Sequence, residues 1–351
     1  MSLPEDLDKF PLAHGEDEKE RPQPADEPAD EGPDHADLME TMHRTIDRMG
    51  KDGTTRGDLK ILSRTLRELR YAFKVFQPYR RRRKVTVFGS ARTSPAQPAY
   101  QQAVEFGRAM AGQGWMVITG AGGGIMEAGN LGAGREMSMG LNILLPFEQR
   151  ANDVIDGDPK LVTMKYFFTR KLMFVKECSA VVSLPGGLGT LDETCEVLTL
   201  LQTGKQTMMP IVLLDQPGGS YWHDLGLFFE KHLLNTQLIS PADTSLYRIT
   251  DNVEVAADEI LKFYRVYHSM RYVRNRLVFR LTESLTNEQL DTINVQFADI
   301  LVDGVFEQTG ALAQEQGEED LIGLPRLAFH FNRRALGRLR MLIDFVNGRS
   351  V

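Results

Sequence analysis

The chain has 351 residues, 42% of them hydrophobic, enough for one large domain or two modest ones with a sizeable core. Its net charge of −7 averages two unlike parts: residues 1–36 carry twelve acids against Lys9, Lys19 and Arg21, net −9, which leaves +2 for the remainder. A nearly neutral body argues against dedicated nucleic-acid binding, no apolar run reaches the roughly 18–20 residues of a membrane span, and two cysteines, Cys178 and Cys195, are too few for a disulfide framework.

No CxxC or HExxH spacing points to a metal site, and none is expected. The first residues lack the apolar stretch of a secretory signal, so a cytoplasmic protein is expected. Residues 1–36, rich in Pro, Asp and Glu, read as a disordered acidic tail. Residues 37–83 read as a helical segment: a short helix over 37–50, then Leu59, Leu62, Leu66, Leu69, Phe73 and Phe76 stepping by three and four until Pro78. Arg80-Arg81-Arg82-Arg83-Lys84 follows, either a solvated connector or a contact to an anion or to the acidic tail.

From Lys84 the chain alternates. Lys84–Gly89, Trp115–Thr119, Gly140–Leu145, Ala180–Leu184 and Ile211–Asp215 read as short apolar strands. Tyr100–Ala111, a stretch ending near Glu136, Phe167–Glu177, Leu191–Thr203 and Trp222–Leu233 read as helices between and after them. The expected fold is α/β, a doubly wound Rossmann-like parallel sheet over 84–265, covered on both faces. Residues 266–351 are expected to be a helical C-terminal extension, with an apolar 3/4 spacing at Leu290, Ile293, Phe297 and Ile300. A second helix carries Arg333, Arg334, Arg338 and Arg340, candidates for contact with an anion or a subunit.

Ligands of such sheets sit beyond the carboxyl ends of the strands. Three glycine-bearing turns fall there. Phe88-Gly89-Ser90-Ala91-Arg92 offers a small turn and a hydroxyl. Thr119-Gly120-Ala121-Gly122-Gly123-Gly124-Ile125-Met126-Glu127 holds more glycine than a turn needs. It lacks the downstream acid of a dinucleotide fingerprint and the Gly-Lys-Ser/Thr of a Walker loop. The third, Pro185-Gly186-Gly187-Leu188-Gly189-Thr190, runs into a helix and suits an anion at its N-terminus. Thr190-Leu191-Asp192-Glu193 fits a capping box, yet Glu193 and Glu196 also share a helix face. Arg170-Lys171, set among aromatics early in a helix, can face solvent or hold a phosphate or a carboxylate.

Pro185-Gly186-Gly187-Leu188-Gly189-Thr190-Leu191-Asp192-Glu193 resembles the PGGxGTxxE motif of the LOG (Lonely Guy) family. Arg170-Lys171, Gly122–Glu127 and Gly140–Pro146 are similar to that family's upstream segments, and the resemblance covers roughly residues 84–235. It implies a nucleotide phosphoribohydrolase, often labelled a lysine decarboxylase, that splits a nucleoside 5′-monophosphate (AMP or a cytokinin ribotide) into free base and ribose 5-phosphate. It implies Glu193 and Arg170 as catalytic residues, and Ser90, Gly122, Gly123, Gly124, Glu127, Lys171, Pro185, Gly186, Gly187, Gly189, Thr190 and Glu196 as substrate contacts. No cofactor is implied, and the expected assembly is a homodimer or higher homo-oligomer. Two features depart from the compact members. The chain is long, like the longer bacterial members, and Ala91 stands where many carry a second serine. A nucleotide sensor of the same fold without turnover is the alternative.

Overall fold

The computed structural model describes residues 35–145, 150–313, 315 and 319–349. The expected acidic tail and Pro146 lie almost wholly outside those residues. Two compact units are distinguished, residues 1–52 and 53–351. Within the first, Ala36–Lys51 is a helix (α1) with no buried residue.

The second unit opens with α2 (Arg56–Phe76), whose N-cap Thr55 accepts from the Asp58 N–H. Then come β1 (Lys84–Phe88), α3 (Pro98–Gly112), β2 (Met116–Thr119), α4 (Ile125–Met137), β3 (Ser138–Ile143), β4 (Leu161–Met164), α5 (Phe167–Glu177), β5 (Ala180–Ser183), α6 (Leu188–Gln202), β6 (Ile211–Leu214), α7 (Tyr221–Phe228), β7 (Arg248–Thr250) and α8 (Val253–Phe263). The seven strands form one sheet in the order β4-β3-β2-β1-β5-β6-β7, every pair parallel. This is the α/β sheet expected from the alternation of apolar strands and helices, with β4 and β7 added at its edges.

Both faces are covered, and the strand period of two shows why the sequence demands it. Met116, Ile118, Val181, Ile211 and Leu213 pack on one face. Their neighbours Val117, Val182, Val212 and Leu214 pack on the other, under α3, α4 and α8. The chain lays β1 to β4 outward on one side, then returns to place β5 on the other side of β1. That reversal opens a crevice at the carboxyl ends of β1 and β5.

The C-terminal extension is helical only in part. It holds α9 (Asn287–Gln296) and α10 (Leu336–Val346), but also an antiparallel sheet in the order β10-β11-β9-β8, from β8 (Tyr267–Val273), β9 (Arg276–Leu281), β10 (Glu307–Thr309) and β11 (Arg326–Phe329). The hairpin between β8 and β9 escaped the sequence reading because its two-residue turn, Arg274-Asn275, lacks glycine and puts Arg274 at φ +56°. Tyr267, Leu277, Phe279, Leu327 and Phe329 of this sheet join the same core as α5 and α6.

The C-terminal arginines do not form an anion patch. Arg338 pairs with Asp299 at 3.0 Å, and buried Arg340 with Glu259 at 2.6 Å and Asp344 at 3.2 Å. Arg333 and Arg334 precede α10 rather than lying on it, and Arg333 sits over the Tyr272 ring.

Candidate active site

A cavity of about 640 Å³ opens at the carboxyl ends of β1, β2, β3 and β5, within the usual range for small-molecule sites. Ser90, Gly122, Arg170, Gly187, Gly189, Thr190 and Glu193 line it, so the three glycine turns and the two charged candidates meet in one place.

The turns lock into one another through the backbone. The Ser90 N–H donates to the Pro185 carbonyl at 3.3 Å, and the Ile125 N–H to the Ser90 carbonyl at 3.0 Å. Gly124 adopts φ +62°, and a Cβ there would lie 2.3 Å from the Ser90 oxygen, so both its conformation and its neighbour require glycine. The second turn is held from beneath. Thr119 Oγ1 donates to Asn130 at 2.7 Å and accepts from the Ala121 N–H, while Asn152 Nδ2 donates to the Gly122 carbonyl at 3.0 Å and to Asn130 at 3.1 Å. This buried network keeps Ala121 at φ +59°, a costly conformation for a residue with a side chain.

The capping box expected at Thr190 does not form. α6 starts at Leu188 with Gly187 as N-cap, so Thr190 lies inside the first turn, its N–H bonded to the Gly187 carbonyl at 3.0 Å. Its own carbonyl accepts from Thr194 Oγ1 at 2.7 Å. Glu193 is therefore released from capping and is buried on the cavity wall. A Cβ at Gly187 or Gly189 would meet nothing within 4 Å, so packing within this chain does not require glycine there. A glycine-rich helix start suits the close approach of an anion.

Burial pushes the Glu193 carboxyl above its ordinary pKa, and Lys171 and Arg170 pull the other way. Burial likewise lowers the Arg170 guanidinium, opposed by Glu193. Arg170 lies near the Phe167 and Phe174 rings at 5.0 and 5.6 Å, and its Nε finds no hydrogen-bond partner among the described residues. Its helix is anchored by buried Glu68 of α2, which accepts from the Lys165 N–H at 2.9 Å and Thr169 Oγ1 at 2.8 Å.

Lys171 and Glu196 do not line the cavity. The Lys171 ammonium lies 2.8 Å from Asp192, 3.5 Å from Glu193 and 2.6 Å from Glu196, clamping α5 to α6. Burial would lower its pKa, but the hydrogen bonds to Asp192 and Glu196 and the charge of Glu193 outweigh it and hold the ammonium above its ordinary range. Gly123, Gly124, Glu127, Pro185 and Gly186 also lie outside the lining; burial raises the Tyr100 phenol, and the charge of Glu127 adds to it. Gly186 serves packing, since a Cβ there would fall 2.1 Å from Thr190 Oγ1, and its carbonyl accepts from the Tyr221 hydroxyl at 2.7 Å.

Arg92, Met126, Asn142 and Phe167 line the cavity without having been singled out individually. Asn142 had a signal: a lone amide near the carboxyl end of an otherwise apolar strand.

Residues 123–260 match the family model described as possible lysine decarboxylase. A protein of Mycobacterium tuberculosis named cytokinin riboside 5′-monophosphate phosphoribohydrolase is 31% identical over 157 residues, 44% of this chain and 81% of that protein. The chain belongs to the LOG family. Solved structures that resemble this LOG-family chain include the molybdenum cofactor binding protein of Rippkaea orientalis, 20% identical over 51% of this chain and 94% of that one, TM-score 0.36. The molybdenum cofactor carrier protein of Chlamydomonas reinhardtii is 22% identical over 52% and 98%, TM-score 0.38. Among the described residues no helix is long and apolar enough to cross a membrane, and no group of three or more His, Cys, Asp or Glu could hold a metal ion.

Proposed function

We propose that this LOG-family chain hydrolyses the N-glycosidic bond of a nucleoside 5′-monophosphate, of the AMP or cytokinin ribotide type, releasing free base and ribose 5-phosphate. The observation that carries the reading is Glu193: a buried carboxylate in the same cavity as Arg170 and the glycine-rich start of α6.

The chemistry follows from that arrangement. The N–H groups of Leu188 and Gly189 and the positive end of α6 hold the 5′-phosphate. Gripping the phosphate orients the distant sugar, a use of remote binding energy to raise the rate. As the bond to the base breaks, positive charge builds on the ribose ring. The Glu193 carboxylate stabilises that charge and orients the attacking water. Arg170 positions the sugar phosphate and keeps Glu193 ionised, consistent with its lowering of the Glu193 pKa. Ser90 and Gly122 border the nucleotide from the other two turns.

Lysine decarboxylation by a pyridoxal phosphate aldehyde fits poorly. It needs a lysine at the cavity, and the tempting candidate, Lys171, is turned into a cluster of three carboxylates away from the lining.

We also propose a homodimer or higher homo-oligomer. Part of the apolar stripe of α2 stays uncovered: Phe76 is buried and Leu69 packs on the core, but Leu59, Leu62, Leu66 and Phe73 are exposed, as are Phe168 and Leu172 of α5. Light scattering behind size-exclusion chromatography tests this, a monomer being the contrary result. For the reaction, purified protein is incubated with a panel of nucleoside 5′-monophosphates and ribose 5-phosphate is assayed. Release from at least one member supports the reading. Nucleotide-induced thermal shifts with no release would replace it with the sensor.

A further inference from the structure

One polar group of the candidate active site has no task in the proposed reaction. Asn142 stands near the carboxyl end of β3 and lines the cavity. It is 8% exposed, and its strand neighbours Leu141 and Ile143 are apolar and buried. The Ile143 N–H donates to Asn142 Oδ1 at 2.9 Å, which fixes the oxygen end of the amide. The donor end, Nδ2, has no hydrogen-bond partner among the described residues. Unlike the sealed, unpartnered Trp222 Nε1, it keeps contact with the cavity that Asn142 lines. An amide donor left unpaired at a buried position is costly, and an acceptor on a ligand removes that cost.

The sheet order sets how far Asn142 lies from the phosphate grip. β2 and β1 stand between β3 and β5. Three strand spacings of ~4.8 Å place Asn142 about 14 Å from the end of β5 that leads into α6. A nucleoside 5′-monophosphate stretched from phosphate to base covers that span. With its phosphate on the start of α6, its sugar lies over the ends of β1 and β2, and its base reaches β3. Met126, Ile143 and Leu145 supply apolar wall for a flat base in the same cavity. Ser90 and Arg92 also line it, but they follow β1, the strand beside β5, and fall on the phosphate side.

We propose that Asn142 is the leaving-group donor of this reaction, its Nδ2 hydrogen-bonded to a ring nitrogen of a purine base; the assignment rests on the glycosidase reading above. Glu193 answers only half of the charge that cleavage creates. As the C1′–N bond breaks, its electron pair passes to the base and C1′ turns positive. Water adds to C1′ and gives up a proton to solvent, and the departing base takes a proton from solvent. Until that proton arrives the base is an anion, its charge spread over the ring nitrogens. An amide N–H already aimed at one of them binds more strongly as the charge grows, with no proton transfer of its own. Asn142 thus serves the base as Glu193 serves the sugar.

The test compares AMP with 6-chloropurine riboside 5′-monophosphate, in wild type and in Asn142→Ala, reading ribose 5-phosphate release and nucleotide binding. Chlorine withdraws electrons, so the chloropurine base carries negative charge with less help. In Asn142→Ala, release from AMP is expected to fall about a hundredfold, and release from the chloro analogue by less than about tenfold. A side chain that only shapes the cavity would slow both substrates by the same factor. That result overturns the proposal, as does an unchanged AMP rate. Asn142→Leu keeps the size of the side chain without the donor, and the same split is expected from it. It takes the place of Asn142→Ala if circular dichroism finds that variant unfolded. A wild type that releases ribose 5-phosphate from no nucleotide overturns the glycosidase reading itself, whereas an active wild type with equal losses in the variants overturns only the role of Asn142.

Discussion

At the scale of single residues, Glu193 and Lys171 divide the work. Burial holds the Glu193 pKa above 4.5, so a reaction that needs its carboxylate should fail as pH falls through that raised value, earlier than an ordinary glutamate would. The same shift has a stability sign. The folded state disfavours the charged form, so near neutral pH the ionised carboxylate weakens the fold. Glu193→Gln should keep or raise Tm, as a thermal melt will show, and a large fall would mean a structural role. Lys171 pulls the Glu193 pKa down without lining the cavity. Lys171→Met should therefore move the acid limb of the kcat/KM profile to higher pH while leaving the alkaline plateau near its original height. An unmoved limb with a raised KM would instead make Lys171 the substrate contact implied by the family resemblance.

At the scale of elements, α5 and α6 are the two arms of the site, and each is braced by a residue that the sequence hides. Glu68 accepts two hydrogen bonds at the start of α5 and a third from Arg64 Nε at 2.8 Å. Glu68→Ala leaves the half-buried Lys165 N–H without this acceptor, while Thr169 Oγ1 keeps the Tyr166 carbonyl at 2.8 Å, so a loss of about 0.5–1.5 kcal/mol is expected in urea unfolding, with a drop in kcat/KM as Arg170 shifts. Unchanged unfolding and kinetics would show that α5 needs no such brace. The strands, the helices and the convergence of three glycine turns were legible, because apolar alternation and glycine clusters are local signals. The start of α6 was misread because Thr190-x-x-Glu193 satisfies the capping pattern, while Gly187, three residues earlier and with extended backbone, sets the true boundary. Glu68 was illegible for another reason: its partners lie about a hundred residues away, and on a helix it looks like any surface acid.

At the scale of the whole molecule, the C-terminal extension is fastened to the α/β sheet by buried charge as well as by apolar packing. Glu259 of α8 accepts from Arg340 at 2.6 Å and from Arg349 at 2.8 Å, and Arg340 is 3% exposed. Burial alone would raise the Glu259 pKa, but the two arginines outweigh it and hold it below 4.5. Its contribution is thus present above the ordinary carboxylate pKa and lost as pH falls through the depressed value. Glu259→Ala leaves a buried guanidinium without this partner, and a cost of about 3–5 kcal/mol is expected from chemical denaturation at pH 7, shrinking at acid pH. A cost under 1 kcal/mol at pH 7 would mean that Asp344 alone suffices. None of these pairings could be read from the sequence, where Arg340 looked like one of a row available to an outside anion.

The most direct measurement sets Glu193→Gln beside the wild type on the best nucleoside 5′-monophosphate of the panel, following ribose 5-phosphate release and ligand binding together. Release is expected to fall by at least a thousandfold, about 4 kcal/mol of transition-state stabilisation, with the nucleotide still bound and the protein folded. A Glu193→Gln protein that releases ribose 5-phosphate at the wild-type rate would contradict the assignment of this carboxylate to the reaction.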